Sequence, residues 1–339
     1  LEQPLFTYNR TKMQLRELEL SLENAQLNFT LQQLNIEKNV TTSFYSVYQS
    51  QKDLQIARDE VENQRKNAEI ISRKAEAGLV PREEQYQAEV NLAMAEATFN
   101  NRQIAFKDAK DRFKLLIGMA LDRDFVLLPN IEILPVLVDV EEAVRHGLEL
   151  RTEIRQQQIT VEKNMFTLVR TKSDNEFHGS LSARVGLDAL AGKVKNMYDN
   201  PTDNEQIGVT LSIPIFDWGA KRARVKSTEL GIEATELNFE EERKTIILDI
   251  RQVCHRLPVL LNQVEIQRKG VENAERTYNI QLEKYRNGNL SGMELQQYQN
   301  QLTQAKRSYT DAIISYKLEL LNLKIQTLWD FENNCPFVK

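Results

Sequence analysis

The feature that most constrains the fold is an internal repeat at a fixed spacing. The segment 1–6 recurs as the segment 211–216, with Pro4 matched to Pro214, 210 positions later. The same spacing relates further pairs: Phe6 and Phe216, Gly78 and Gly288, Glu84 and Glu294, and Lys114 and Lys324. A register that stays unbroken over such a distance indicates two copies of one unit, without an insertion in the matched part.

Each copy contains a very long segment with the pattern of a coiled-coil helix. Residues 11–77 contain neither Pro nor Gly. Apolar residues alternate three and four positions apart near its start, at Leu15, Leu18, Leu22, Ala25 and Phe29. This spacing is typical of a coiled-coil seam, and a helix of about 65 residues would be about 100 Å long. No compact globular domain accommodates such a rod, so coiled-coil helices are predicted.

The first long helix is predicted to end at a glycine turn. Gly78 suits the left-handed position that follows a helix, and Pro81 suits the first turn of the next one. A return helix is predicted over 82–117, which makes the first copy an antiparallel helical hairpin.

The second copy repeats this pattern. A helix is predicted over 221–287, a turn over 288–292, and a return helix to about Trp329. Pro258 falls inside the long helix, where a proline lacks the N–H for a helical bond. We expect it to kink the rod or to mark a break between two stacked helices.

Between the copies the periodicity changes. An irregular apolar segment, 125–138, precedes helices predicted over 140–150 and 151–171. Two strands then alternate apolar and small or polar residues, with Leu181, Ala183, Val185 and Leu187 in one and Ile207, Val209, Leu211, Ile213 and Ile215 in the other. The spacer 191–204 is polar and loop-like. Such strands are typical of transmembrane barrels, but a soluble hairpin packed on a helix has the same alternation, and both interpretations stay open.

The composition favours long solvated helices over a thick globular core. Charged residues make up 27%, there are only 12 Gly and 8 Pro, and the mean hydropathy is -0.50. No apolar run reaches the length of a transmembrane helix, about 18 residues, and no signal peptide is visible. The net charge of -5 is spread along the chain without the basic footprint of a nucleic-acid-binding protein, so no nucleic acid partner is expected.

Nothing in the sequence indicates catalysis. Cys254 and Cys335 form no metal or redox motif and are expected to be unpaired thiols. The histidines, His146, His178 and His255, have no metal-ligand or triad spacing. A phosphate-binding loop and a dinucleotide fingerprint are also absent from the sequence. We therefore predict no enzymatic activity, no catalytic residue, no metal and no cofactor.

Five short motifs, in this order and partly duplicated, carry a resemblance to a known family. They are Gln3-Pro4-Leu5-Phe6, Glu76-Ala77-Gly78-Leu79-Val80, Leu115-Leu116-Ile117-Gly118, Ile213-Pro214-Ile215-Phe216-Asp217-Trp218-Gly219 and Tyr285-Arg286-Asn287-Gly288. With the order of strand, long helix, turn and return helix, the chain resembles the TolC-like outer-membrane efflux proteins over essentially its whole length.

The resemblance implies a fold that is mainly α with a small β part. Three protomers would contribute strands to one 12-stranded barrel in the outer membrane, and their helical hairpins would form a tapering periplasmic tunnel. The implied partners are two further copies in a homotrimer, outer-membrane lipid, a periplasmic adaptor protein and an inner-membrane pump. Family members carry a first strand and two helices ahead of the matched part, so this chain alone is expected to lack a strand for barrel closure.

The resemblance also implies a division of the chain. It comprises the end of a barrel strand, 1–8; a first helical hairpin, 9–125, with its tip at 78–81; an equatorial linker, 126–150; a helix, 151–177; a transmembrane β-hairpin, 178–216, with an outer loop at 191–204; a second helical hairpin, 217–330, with its tip at 288–292; and a tail, 331–339.

Three groups of site residues follow from the resemblance. Adaptor docking is implied at the tips, for Gly78, Leu79, Val80, Gly288, Asn289, Leu290 and Ser291, although these residues also suit plain helix-breaking turns. A periplasmic gate is implied for Glu294, Gln297, Tyr285 and Glu84, although Glu294 also suits a solvated helix surface. Leu290 stands where the family has an arginine, so the Arg–carboxylate lock is expected to be absent. Arg184 and Asp188 would line the barrel lumen or lie on the surface of a salt-bridged hairpin.

Two functions from different classes remain. An export duct would pass small molecules, heavy metals or secreted proteins, and the sequence does not choose among them. A soluble coiled-coil scaffold would hold partners apart, but the alternating strands and the in-register repeat count against it.

Overall fold

The computed structural model describes residues 2–5, 8–128, 131–174, 177–188 and 202–337. The helices in these ranges are α1 (Arg10–Glu76), α2 (Arg82–Leu116), α3 (Val140–Leu150), α4 (Thr152–Ser173), α5 (Ala220–Arg286) and α6 (Gly292–Thr327). The strands are β1 (Glu2–Leu5), β2 (His178–Asp188), β3 (Thr202–Ser212), β4 (Trp329–Asp330) and β5 (Cys335–Pro336). None of the helices in the described ranges has the length and apolarity that crossing a membrane requires.

The repeat in the sequence is a repeat in the fold. Helices α1 and α5 each contain 67 residues, and α2 and α6 contain 35 and 36. The starts of α1 and α5, at Arg10 and Ala220, are separated by the spacing of the sequence repeat, as are the starts of α2 and α6, at Arg82 and Gly292. The fold is therefore mainly α, with two copies of a long helical hairpin.

Of the two outcomes expected at Pro258, the break between stacked helices is wrong, because α5 runs through this residue as one helix. A kink at Pro258 stays a prediction. Proline removes one backbone hydrogen bond, which by itself disfavours a helix interior. Val253, Cys254, Leu257 and Val264 are buried on both sides of the proline. Burial of these side chains holds the two flanking stretches of helix in place and offsets the missing bond.

The chain divides into two compact units. The first unit comprises Leu1–Thr30 and Thr152–Thr245, and it contains a three-stranded antiparallel sheet in the order β1-β2-β3. In the pairing of β2 with β3, Leu181 lies opposite Val209 and Ser182 lies opposite Gly208. Directly opposed residues share a face, so apolar and polar residues separate onto the two faces next to these pairs. Toward the loop end, Glu205 lies opposite Val185 and Asp203 lies opposite Leu187, so two carboxylates share the face of these apolar residues.

The boundaries of the second strand differ from those predicted. Residues 191–201 of the predicted loop lie outside the described residues, whereas 202–204 belong to β3, where Thr202 pairs with Asp188. The strand ends at Ser212 rather than 216, and Pro214 follows two residues later. At its N-terminal end β3 extends through polar residues because β2 provides paired partners for them. At its C-terminal end the ladder stops before Pro214, because proline has no N–H to donate.

Helix packing in the first unit is largely polar. The Arg155 guanidinium contacts the Glu23 carboxylate at 2.6 Å, and Arg170 pairs with Glu17. Leu20 and Ile159 are fully buried. The predicted coiled-coil seam, in contrast, is exposed in this chain at Leu15, Leu18, Leu22, Ala25 and Phe29. The spacing of a seam identifies an apolar face but does not say which surface covers it.

The second unit comprises Leu31–Arg151 and Ile246–Lys339 and holds most of the buried apolar side chains. One cluster contains Val47, Phe113 and Leu127. Elsewhere Tyr316 is almost fully buried, and its hydroxyl donates to the Leu134 carbonyl at 3.1 Å. This bond ties the irregular segment after α2 to helix α6.

The C-terminal part of the second unit folds back on α6. Strands β4 and β5 pair in an antiparallel ladder, and Lys324 of α6 contacts Asp330 at 3.0 Å. The Trp329 ring stacks on His146 of α3 with centroids 4.3 Å apart. Cys254 and Cys335 are both free thiols, the first buried and the second exposed.

Candidate functional site

The two hairpins turn with the same backbone motif. After α1, Gly78 has a φ of +73°, and the Leu79 N–H donates to the Lys74 carbonyl at 2.8 Å. After α5, Gly288 has a φ of +78°, and the equivalent bond from Asn289 measures 2.9 Å. A Cβ in this left-handed region would crowd the following carbonyl oxygen, so glycine fits best. The paired glycines therefore give both tips one geometry.

The return helices start differently in the two copies. The Glu294 N–H donates to the Ser291 Oγ at 3.3 Å, and the Ser291 N–H donates to the Glu294 carboxylate at 3.0 Å. This capping box is missing in the first copy, where α2 follows Pro81, which offers no side-chain acceptor. The Ser291 N–H, and then its hydroxyl, lower the pKa of the Glu294 carboxyl. Glu294 is therefore an ionised residue bonded to the start of its own helix.

Tyr285 lies in the apolar packing behind the tips. Its side chain is 4% exposed. It belongs to a cluster with Ile71, Ala88, Tyr278, Leu295 and Leu302, which joins residues of both hairpins. Burial, with a smaller contribution from the Glu84 carboxylate, raises the pKa of the Tyr285 phenol to about 12. The tyrosine predicted for the gate is therefore neutral and packed inside this chain.

Most of the predicted tip and gate residues line one cleft of about 660 Å³, hereafter the tip cleft. The predicted residues in its wall are Leu79, Val80, Glu84, Tyr285, Gly288, Asn289, Leu290, Ser291 and Glu294. Val80 and Leu290 are half-buried against the cluster around Tyr285. Leu79 is instead 74% exposed, so the cleft has an apolar edge that is open to solvent. Gly78 is not among its lining residues.

Gln297 lies in a second, larger cleft of about 1150 Å³ beside the return helices, hereafter the amide cleft. Its amide side chains are Asn67, Gln87, Asn91, Gln296, Gln297, Asn300, Gln301 and Gln304. Glu83 and Glu84 supply the carboxylates, and the lining contains no basic residue. Amides both donate and accept hydrogen bonds, so this surface can bond to polar groups of either kind.

Two further residues at the tips were not predicted from the sequence. Met293, in the first turn of α6, is 85% exposed. Lys74, in the last turn of α1, places its Nζ 3.2 Å from the Tyr285 carbonyl oxygen. A basic residue near a helix end is a visible signal in the sequence. The partner of Lys74 lies on another helix, so the contact itself is not visible there.

Arg184 and Asp188 share the polar face of the β2–β3 hairpin. Arg184 lies opposite Gln206, and the Asn204 amide donates to the Asp188 carboxylate. Neither Arg184 nor Asp188 forms an ion pair within the described ranges, so the salt-bridged surface considered from the sequence does not appear there. The other face is mainly apolar and is exposed at Leu181, Val185, Leu187, Ile207, Val209 and Leu211, with Asp203 and Glu205 at its loop end.

No group of metal-binding side chains occurs within the described ranges. The chemistry of the tips and of the sheet is that of hydrogen bonding, charge and apolar contact.

Solved outer-membrane channels share this fold. The Campylobacter jejuni channel CmeC matches with a TM-score of 0.81 and 15% identity, over 100% of this chain and 71% of that one. The open-state Neisseria gonorrhoeae channel MtrE matches with a TM-score of 0.76 and 14% identity, over 97% and 74%. The Vibrio cholerae outer membrane protein VceC gives 0.74 and 14%, over 96% and 76%.

The sequence matches the family described as outer membrane efflux protein over residues 1–119 and 176–324. The chain belongs to this family, and its location is the outer membrane. No protein with a curated description matches the chain at a significant level.

Proposed function

We propose that this chain is one protomer of a homotrimeric exit duct that crosses the outer membrane and continues as a helical tunnel in the periplasm. The observation that carries the proposal is the division of the β2–β3 hairpin into an exposed apolar face and a polar face. In a membrane-embedded barrel the apolar face contacts lipid, and the polar face, with Arg184 and Asp188, lines the lumen. A soluble scaffold would have no use for such an exposed apolar face.

The open edges of the sheet support association with further copies. Within the described ranges, β1 and β3 each pair with another strand on one side only. Unpaired backbone groups are not tolerated in lipid, so strands of neighbouring copies would pair with them. The exposed seam from Leu15 to Phe29 would likewise be covered by a neighbouring helix.

The tips are the proposed docking site for a periplasmic adaptor. The tip cleft offers the exposed Leu79 as an apolar contact, and the amide cleft offers donors and acceptors along the return helices. The adaptor would couple the duct to an inner-membrane pump, which supplies the energy. Glu294 would form a ring of three ionised carboxylates that favours cations at the mouth, with Gln297 one helical turn away. Tyr285 and Glu84 would support the ring from behind.

Single-particle imaging of the detergent-purified protein, expressed from its complete gene, tests the proposal. The expected particle has threefold symmetry, with a barrel at one end and a helical tunnel of about 100 Å at the other. A thin rod that stays soluble without detergent and has no barrel would refute the duct and leave the scaffold.

A further inference from the structure

The junctions between strands and helices in the first unit repeat one order of residues. In the first copy, Tyr8 is followed by the basic residues Arg10, Lys12 and Arg16, and the first acidic residue is Glu17. In the second copy, Phe216 and Trp218 are followed by Lys221, Arg222, Arg224 and Lys226, and the first acidic residue after them is Glu229. Each helix is therefore preceded by at least one aromatic residue, and the charged residues of about its first two turns are all basic.

The aromatic residues of the second junction are open to solvent. Trp218 is 90% exposed, and its ring contacts that of Phe216 edge to face, with centroids 4.7 Å apart. They follow the apolar face of β3 directly in sequence. Amphipathic rings at the end of an apolar strand face are typical of the boundary between lipid tails and headgroups.

Three basic residues of this junction, Lys221, Arg222 and Lys226, line a cleft of about 850 Å³, whose wall also contains the carboxylates of Asp217 and Glu229. Lys172 at the end of α4 lies on one side, and Arg222 and Lys226, one turn apart on α5, lie on the other. Lys172 contacts Glu229 at 3.6 Å. No carboxylate within the described ranges lies within ion-pair distance of Arg222 or Lys226, and both side chains are exposed. The cleft thus offers two uncommitted cations beside the aromatic pair.

We propose that this cleft binds the phosphate of an anionic phospholipid headgroup in the periplasmic leaflet of the outer membrane, with Phe216 and Trp218 at the level of the headgroups. The site rests on the proposed insertion of the strands, which brings the cleft to the membrane surface. Arginine and lysine side chains pair with phosphate oxygens, and the zwitterionic lipids of the same leaflet carry a compensating cation that these residues would repel.

The emission of Trp218 provides a direct probe. The printed sequence contains two tryptophans. In the protein expressed from its complete gene, Phe in place of Trp329 and of any tryptophan outside this sequence leaves Trp218 as the single emitter. This protein is reconstituted into phosphatidylethanolamine vesicles that contain brominated phosphatidylglycerol or, at the same mole fraction, brominated phosphatidylethanolamine. Bromine quenches only a nearby ring, so the ratio of the two quenching efficiencies reports the local enrichment of anionic lipid.

The expected result is stronger quenching by the brominated phosphatidylglycerol. In the double variant Arg222→Gln, Lys226→Gln the preference should fall up to about 25-fold, since each basic residue near an anionic surface contributes about fivefold to binding. The matched control Lys269→Gln, Arg276→Gln changes two exposed basic residues of the same helix away from the junction and should keep the preference.

Four outcomes would overturn the inference. Equal quenching by both lipids in the unsubstituted background would show insertion without an anionic-lipid site. Retention of the preference by the Arg222, Lys226 variant would place the selectivity elsewhere. Loss of the preference in the unsubstituted background on adding inorganic phosphate would indicate a site for soluble anions. Absence of quenching by either lipid would refute the proposed strand insertion together with this site.

Discussion

Lys74 caps the end of a helix in the other hairpin: its Nζ lies 3.2 Å from the Tyr285 carbonyl oxygen and 5.1 Å from the centre of the Tyr285 ring. The lysine leaves α1 and reaches the C-terminal carbonyls of α5, where the helix dipole is negative. One side chain therefore links the two copies of the repeat at their tips.

Replacing Lys74 with Gln should destabilise the tips. The variant loses a charge-assisted bond to a helix end and a cation–π contact, together about 1–2 kcal/mol. Thermal unfolding, with limited proteolysis near residue 288, measures the effect. Lys284 stands at the equivalent repeat position, and its side chain is exposed and has no hydrogen-bond or ion-pair partner within the described ranges, so Lys284→Gln is the control. Equal effects of both substitutions would contradict a specific role of the Lys74 contact.

Glycine substitutions should have opposite effects at the tips and inside the helix. Gly78→Ala and Gly288→Ala place a Cβ at a φ of +73° and +78°, and each should cost about 1–2 kcal/mol. No atom lies within 4 Å of the added Cβ at either position, so the cost comes from the backbone alone. Gly231→Ala, within α5 and equally open, should stabilise the protein by up to about 1 kcal/mol. Chemical denaturation of the three variants checks these signs.

The capping box at Ser291 should make the stability of the second tip depend on pH. The pKa of Glu294 is lowered from its ordinary value of 4.5, so the folded state favours the carboxylate. Its stabilising contribution is present above the ordinary value and is lost as the pH falls through the lower folded value. Glu294→Gln should flatten this acid limb in unfolding curves, and Ser291→Ala should cost about 1 kcal/mol at neutral pH. An acid limb identical to that of the wild type in Glu294→Gln would refute the assignment.

The two faces of β3 should respond differently to a new charge. Val209 lies on the apolar face and Thr210, its neighbour, on the polar face. Val209→Arg would place a cation in lipid, at a cost of about 2–4 kcal/mol near the centre of the bilayer, whereas Thr210→Arg would face water. The amount of assembled protein in the outer-membrane fraction should therefore drop for the first variant and stay near wild type for the second. Equal amounts would contradict the proposed orientation of the sheet.

The two free thiols should differ in reactivity. Burial raises the pKa of the Cys254 thiol to about 11, so little reactive thiolate is present at pH 8. Cys335 is exposed and should be alkylated by iodoacetamide first, with Cys254 reacting only after unfolding. Peptide mass spectrometry of briefly treated native protein distinguishes the two sites. Rapid modification of Cys254 in the native protein would contradict its burial.

The sequence by itself determined the elements that local chemistry controls. Gly78 and Gly288 ended the long helices at the expected places because left-handed backbone favours glycine wherever the surrounding chain lies. The fixed spacing of the repeat predicted the second hairpin from the first, and alternation predicted the two faces of the strands. The family could also be recognised from the sequence, because the motifs that define the resemblance lie at turns and strand ends, where local chemistry controls the backbone.

Only the tertiary structure decided which of these surfaces are covered. Helix α5 continues through Pro258 because buried neighbours offset one missing bond, and β3 extends to Thr202 because β2 provides paired partners. Tyr285 is buried, and its backbone carbonyl accepts a bond from Lys74. The motif predicted a gate residue at this position without showing this burial, and the gate role stays a prediction. Spacing identifies an apolar face of a helix, but its partner is distant in sequence, so burial follows from three-dimensional contacts that no local pattern encodes.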